Sequence, residues 1–194
     1  MKWLLLIPAY LLGTFPSAVM LARSRGIDIT KVGSGNPGAS NVSRIMGRKW
    51  GIAVFALDAL KGIIPAAVGA HLLDSRPLGF AMVAAAIIGH MFPITRGLHG
   101  GKGVATMAGS MFVLQPLVAL ILFFIWYAVL KLSKKSSIAS LALIVGLPVL
   151  CGIKGVPAWE ILAMVGINAL LLIKHTGNIK RLVRGTELSA SRSN

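Results

Sequence analysis

Carboxylates are scarce in this chain: Asp28, Asp58, Asp74, Glu160 and Glu187 are the only five acids in 194 residues, against 20 Lys and Arg. Five scattered acids cannot assemble the divalent-ion site that a CDP-alcohol phosphotransferase needs, and no aspartate-rich metal motif is present. Cysteine is nearly absent too. Cys151 stands alone in an apolar run, which excludes an intrachain disulfide and a cysteine-based metal site and marks it as a small buried hydrophobe. No internal repeat and no low-complexity segment breaks the pattern. The formal charge of +15 invites nucleic-acid binding, but there is no soluble domain to carry it, and basic charge in a membrane protein ordinarily marks cytoplasmic loops.

What the chain has in abundance is hydrocarbon. With 56% hydrophobic residues and a positive mean hydropathy, it cannot hide its apolar surface in one small soluble core, so an integral membrane protein is expected. Apolar runs fall at about 3–22, 51–73, 78–94, 104–130, 137–153 and 158–173. The first is long enough to span and is read as a helix, not a cleavable signal peptide. The fourth would be about 40 Å long as one helix at 1.5 Å per residue, more than a hydrocarbon slab of ~30 Å requires, and Gln115-Pro116 lies near its middle. Proline there removes a hydrogen bond and clashes with the preceding turn, so the run is expected to break.

Charge chooses between six and seven crossings. If 104–130 crosses twice and the N-terminus lies outside, sixteen of the 20 cations fall inside, only Lys2, Arg76 and Lys154 fall outside, and Lys61 sits within a span. Six spans would divide the loop cations nine to ten. The positive-inside rule favours seven. The resulting expectation is an all-α polytopic membrane helical bundle of about seven transmembrane helices, one domain over 1–194, with some helices short or re-entrant. Residues 104–115 would reach only about 18 Å as a helix. The C-terminal LSASRSN reads as a frayed tail.

Three polar stretches interrupt the hydrocarbon. The first, GSGNPGASN at 33–41, matches G-x-G-x-x-G through Gly33, Gly35 and Gly38, yet no βαβ pattern surrounds it and Asp58, at the offset a dinucleotide fingerprint asks for, lies in an apolar helix. Two readings remain: an ordinary polar turn, or a tight anion-binding turn in which Pro37 fixes the backbone and Ser40 or Asn41 caps a short helix carrying Arg44. The second, TRGLHGGKGVAT at 95–106, departs from a P-loop in having three residues between Gly97 and Gly101-Lys102, and Gly103 where Ser or Thr would hold magnesium. It keeps a glycine-rich backbone and a flexible cation opening a helix, which suits phosphate. Arg96 either assists there or anchors a helix end to headgroups.

The third stretch, KHTGNIKRLVRGTE at 174–187, begins where the last span ends. His175 and Asn178 share a face if helix persists through Gly177. An interfacial histidine is commonly a hydrogen-bonded helix end, but here the charge argument puts it on the same membrane side as the other two stretches. Glu187 follows a run of cations and is read as neutralising and positioning them. Asp58 and Lys61, at i,i+3 in the second span, are read as a structural ion pair, and His90 and His71 as structural. No histidine is followed five residues on by aspartate, which removes the H-x-x-x-x-D motif of soluble-type glycerolipid acyltransferases. Chemistry without metal or carboxylate base needs an already activated donor.

SGNPGASN with Arg44, LDALKG in the second span, GHMFP followed by GGKGVAT, and KHTGNIKRLVRGTE together resemble the bacterial acyl-phosphate:glycerol-3-phosphate acyltransferase family, in order and over nearly the whole chain. The resemblance implies transfer of a fatty acyl group from acyl phosphate to the 1-hydroxyl of glycerol 3-phosphate, giving lysophosphatidate and phosphate, the first step of bacterial phospholipid synthesis. It implies no cofactor, no metal and no obligate protein partner, and a multi-pass protein of the cytoplasmic (inner) membrane with its active site and C-terminus cytoplasmic. It puts catalytic weight on Ser34, His175 and Asn178. Substrate binding falls to Gly35, Asn36, Gly38, Ser40, Arg44, the Gly100, Gly101, Lys102, Gly103 loop and Lys180; Glu187 carries over as structural. The proton acceptor stays open between His175 and the departing phosphate. A transporter for a phosphorylated solute is the rival from another class, but the polar groups gather at one surface and no two halves match.

Overall fold

The computed structural model describes residues 1–190; the last four residues of the expected frayed tail, and Arg192 of the charge count, lie outside them. All regular structure among the described residues is helical. The backbone forms two compact units, residues 1–114 and 115–190.

The first unit opens with a 3-10 turn, Lys2–Leu5, then α1 (Leu6–Gly13) and α2 (Ser17–Arg23). The expected single helix over 3–22 is therefore interrupted. Pro16 has no N–H to donate and pushes Phe15 out of helical geometry, so the span turns at Thr14–Pro16. The short α3 (Ala39–Met46) follows, then α4 (Arg48–Ala67), which ends in a π turn at Val68–Leu72. α5 (Arg76–Met91), a 3-10 turn at Ile94–Arg96 and α6 (Val104–Leu114) complete the unit. α4 packs on α6, and α5 on α1. Lipid is as apolar as leucine, so membrane helices associate by close packing of small residues instead of by burying hydrocarbon from water. α4 and α6 do this at Gly62 and Gly109: a Cβ on Gly62 would strike the Thr106 carbonyl, and one on Gly109 the Ala59 carbonyl. α3 is different in kind. It is amphipathic, and seats Val42 against Ala18, Val19, Ala22, Ile29 and Val54 in a satellite core closed by Trp50, over which Arg25 lies 4.5 Å from the ring centre.

The second unit holds α7 (Pro116–Ser133), α8 (Ser136–Ile153), α9 (Ala158–Lys174) and α10 (Thr176–Val183). α8 packs on both α7 and α9. The expected break at Gln115-Pro116 is present: α6 stops at Leu114, whose carbonyl accepts a 3.1 Å bond from Arg76 Nη2, and α7 starts on the proline. Gln115 itself bridges Glu160 Oε2 and Lys154 Nζ at 2.9 Å each. Five helical segments are long and apolar enough to cross a membrane: Lys2–Arg23, Arg48–Leu72, Arg76–Arg96, Pro116–Ser133 and Ser136–Ile153. A sixth results if Ala158–Lys174 and Thr176–Val183, bent by 57°, count as one. The expected seventh would be Val104–Leu114, whose 11 residues make a helix of only about 16 Å. The protein is thus a multi-pass helical membrane protein, with five or six full-length spans and this short apolar helix.

Candidate functional site

The first polar stretch is organised by a residue the sequence reading cast only as a possible cap. Asn41 is 1% exposed, and its Nδ2 donates to the carbonyls of Ile29 (3.2 Å) and Val32 (3.0 Å). Its Oδ1 accepts from the Ser34 amide (2.9 Å) and from Arg44 Nη1 (3.2 Å). One buried amide therefore ties the start of the loop, its glycine-rich crest and the α3 arginine together. The capping expectation is corrected: Gly38 is the N-cap of α3, without a side-chain capping bond, and Ser40 is exposed one residue inside the helix. Four amides of the turn are committed to the chain itself. The Ser34 amide is held by Asn41, that of Gly35 by the Val32 carbonyl, that of Asn36 by Ser34 Oγ and that of Gly38 by the Asn36 carbonyl. What the stretch offers outward is side chains, with Ser34, Asn36 and Arg44 all half-buried.

The second stretch spends its amides in the same way. Gly100 N–H donates to the Met91 carbonyl (3.2 Å) and Gly101 N–H to the His90 carbonyl (3.1 Å), fastening the loop to the end of α5. Gly101 lies so close to the His90 ring that any Cβ there would collide with it. Lys102, half-buried between the buried Gly101 and Gly103, precedes α6 by two residues, so a cation does open a helix as expected.

Between these stretches lies the ion pair expected in α4, larger than its two residues. Lys61 Nζ donates to Asp58 Oδ1 (2.6 Å), to the Phe15 carbonyl (2.6 Å) and to Ser17 Oγ (2.9 Å), which uses all three of its protons. Ser17 in turn donates to Asp58, and His90 Nδ1 stands 3.7 Å from the same carboxylate oxygen. At the span break the Phe15 carbonyl accepts from the Ser17 amide (3.0 Å) as well as from Lys61. Pro37 of the first stretch and Arg96 line the same narrow crevice as Asp58, Lys61 and His90. Both glycine-rich stretches thus rest on one buried charge cluster, the first through Pro37 and the second through His90 and Gly101. Periodicity could not reveal this, although Ser17 directly after a proline in an apolar run was an available signal.

The third stretch belongs to the second unit. Helix does not run straight through it: α9 ends at Lys174, His175 sits at the 57° bend, and α10 starts at Thr176. His175 and Asn178 are nonetheless both buried. His175 Nδ1 lies 2.7 Å from the Leu171 carbonyl, and a carbonyl can only accept, so Nδ1 carries a proton and the ring's orientation is held by this bond. Asn178 Nδ2 donates to Glu187 Oε1 (2.6 Å) and Arg181 Nε to Glu187 Oε2 (2.8 Å). Glu187 folds back across α10, and the chain beyond it is held by Lys134, whose carbonyl accepts from the Ala190 amide at 2.8 Å. Lys180 is exposed.

Burial raises the Glu187 carboxyl, but the hydrogen bonds from Asn178 and Arg181 act together against it and leave the group below the ordinary glutamate value of 4.5. The sign of the pH effect follows. The contribution to stability is full above about pH 4.5 and drains away as pH falls through the lowered folded value. Glu187→Gln is expected to cost about 1–1.5 kcal/mol at neutral pH, the difference between a charge-assisted and a neutral hydrogen bond. Thermal unfolding of purified protein against pH checks this: the variant should lose less stability than the parent on acidification, and parallel curves would contradict the assignment.

Among the described residues no three His, Cys, Asp or Glu side chains converge as metal ligands would. The class defined so far is an integral membrane protein whose polar loops carry cations on a buried charge cluster. The chain belongs to the glycerol-3-phosphate acyltransferase family, whose model matches residues 3–185. It is 40% identical to the glycerol-3-phosphate acyltransferase of Aquifex aeolicus, over 94% of this chain and 96% of that one, and 42% identical to that of Myxococcus xanthus at the same coverages. The crystal structure of PlsY (YgiH), an integral membrane glycerol 3-phosphate acyltransferase in its glycerol 3-phosphate form, superposes with a TM-score of 0.91 at 38% identity, over 97% of this chain and 94% of that one. The lysophosphatidic acid form gives 0.88. The protein is a membrane acyltransferase.

Proposed function

We propose that this acyltransferase moves a fatty acyl group from acyl phosphate to the 1-hydroxyl of glycerol 3-phosphate, at the cytoplasmic face of a bacterial inner membrane, as the first step of phospholipid synthesis. The observation that carries the acceptor is the likeness, across almost the full chain, to a protein solved in glycerol 3-phosphate and lysophosphatidic acid forms. The donor rests on chemistry and on the family resemblance. An acyl phosphate is a mixed anhydride, so phosphate leaves readily and no covalent enzyme intermediate is needed. The acceptor oxygen bonds to the acyl carbon, the bond from that carbon to the phosphate oxygen breaks, and the hydroxyl proton passes to His175 or to the departing phosphate. Both substrates are anions. Arg44, Lys102 and Lys180 screen their repulsion, and Ser34 and Asn36 supply hydrogen bonds where the loop amides are already used.

One experiment tests donor and orientation together. Sealed inside-out vesicles given EDTA, palmitoyl phosphate and labelled glycerol 3-phosphate should form labelled lysophosphatidate, whereas sealed right-side-out vesicles should not until permeabilised. Equal turnover with acyl-CoA, free of acyl phosphate, rejects the donor; turnover by sealed right-side-out vesicles rejects the orientation.

A further inference from the structure

Glu160 and Glu187 are the only acidic side chains of the second unit, and both are buried, so the charged side chains at that unit's surface are cations alone. α10 combines this charge with exposed hydrocarbon. It leaves α9 at an angle of 57°, so with α9 along the membrane normal it lies nearer to the membrane plane than to that normal. Its residues sort by face. Asn178 turns inward, where Glu187 holds it. Ile179 and Val183, at i,i+4, turn outward, and Val183 is 84% exposed. Lys180 and Arg184, also at i,i+4, are exposed beside them. An apolar face flanked by cations is the composition of a helix that lies in a headgroup layer, with hydrocarbon against the acyl boundary and cations at the phosphates.

Water would satisfy the cations and leave Val183 unburied, whereas hydrocarbon would bury Val183 and strand the cations. A bilayer surface with anionic headgroups suits both. We infer that α10 docks on anionic phospholipid at the membrane surface where α9 ends, and that this docking holds the bend at His175. On its inner side α10 is fastened by Glu187 and, across the bend, by the Ile179 amide on the His175 carbonyl at 2.9 Å. The lipid fastens the outer side. Because α10 carries Asn178 and starts at His175, the docking also sets how these two residues face each other. That consequence for turnover rests on the catalytic reading of His175 and Asn178 above; the docking itself does not.

The test places purified full-length enzyme in nanodiscs of phosphatidylcholine alone or of equal parts phosphatidylcholine and phosphatidylglycerol. A nitroxide on Val183→Cys reports docking without reference to activity, Cys151 being buried. In the mixed discs the label should be open to oxygen and shielded from a water-soluble nickel chelate, and in phosphatidylcholine it should be more open to the chelate. Access of the chelate in both compositions overturns the docking and leaves the face to a soluble partner. Equal shielding in both overturns the need for anionic headgroups. With both substrates saturating, so that their repulsion by the lipid does not enter, kcat should be roughly fivefold higher in the mixed discs, the worth of one cation at an anionic surface. Arg184→Glu and Val183→Asp should each lose that gain while matching the wild type in phosphatidylcholine, and Arg184→Lys should keep it. Lys180 stays unchanged, since the substrates' charge also meets it. An equal loss from Lys49→Glu, an exposed charge reversal on the first unit, overturns the assignment to α10. Should a variant misfold, the nitroxide decides alone. A label shielded only in the mixed discs with kcat the same in both compositions keeps the docking and overturns its hold on the bend; a wild-type enzyme without acyl transfer overturns the proposed reaction and leaves the docking to the label.

Discussion

His175→Ala is expected to lower kcat by about 10²–10⁴, the usual worth of a positioned general base, in protein that still inserts and folds. The ring is prepared for that task. Its Nδ1–H is fixed on the Leu171 carbonyl at 2.7 Å, which orients the ring and makes Nε2 the nitrogen that would take the hydroxyl proton. Lys102→Ala should behave differently. A remote grip on the acceptor's phosphate holds ground state and transition state about equally, so its loss should raise KM for glycerol 3-phosphate more than it lowers kcat, by roughly ten- to a hundredfold. The Gly100 and Gly101 amides are committed to the Met91 and His90 carbonyls, so at these two positions no backbone donor replaces the lysine. Steady-state kinetics with both substrates varied decides the matter. A His175→Ala enzyme with near-normal kcat and weakened acceptor binding would make histidine a binding residue and the departing donor phosphate the base.

Where sequence reasoning succeeded, the cause was local. Apolar runs located the spans, Pro116 located the break in the fourth, and the i,i+3 spacing of Asp58 and Lys61 located their ion pair, because each depends on residues within one turn. Pro16 carries as clear a signal as Pro116, but the run around it has the right length for one helix, which hides the break. The remaining differences depend on contacts between distant residues. Asn41 reaches back to Ile29 and Val32, Lys61 reaches Phe15 across 46 residues, and the loop amides pair with the carbonyls at the end of α5. Glycine-rich stretches look alike on paper whether their N–H groups point at a ligand or at their own chain. Only the tertiary pairing tells them apart, and here it shifts the proposed anion binding from backbone to side chains. The bend at His175 belongs to the same class: Gly177 was the suspected weak point, yet it lies inside α10 and the helix turns two residues earlier.

The second large effect concerns the buried cluster. Lys61→Met is expected to destabilise the protein by about 3–5 kcal/mol, since removing one partner of a buried pair leaves the other charge uncompensated. Asp58 would keep the Ser17 hydroxyl, the more distant His90 and the charge of Arg96, and the Phe15 carbonyl at the span break would keep only the Ser17 amide as donor. Replacing both charges at once should be far milder, because well-packed apolar side chains commonly substitute for a buried ion pair at little cost. Asp58→Leu with Lys61→Met should therefore regain most of the loss, and a double-mutant cycle on thermal unfolding measures the coupling. If Lys61→Met alone matches the wild type, the pair carries no stability. If the double variant is as unstable as the single, the lysine's main task is to hold the carbonyl at the broken first span. Activity separates a further possibility, because the first two polar stretches meet this cluster through Pro37 and through His90 and Gly101. Stability regained without turnover would mean that these stretches depend on the charges of the cluster and not merely on its volume.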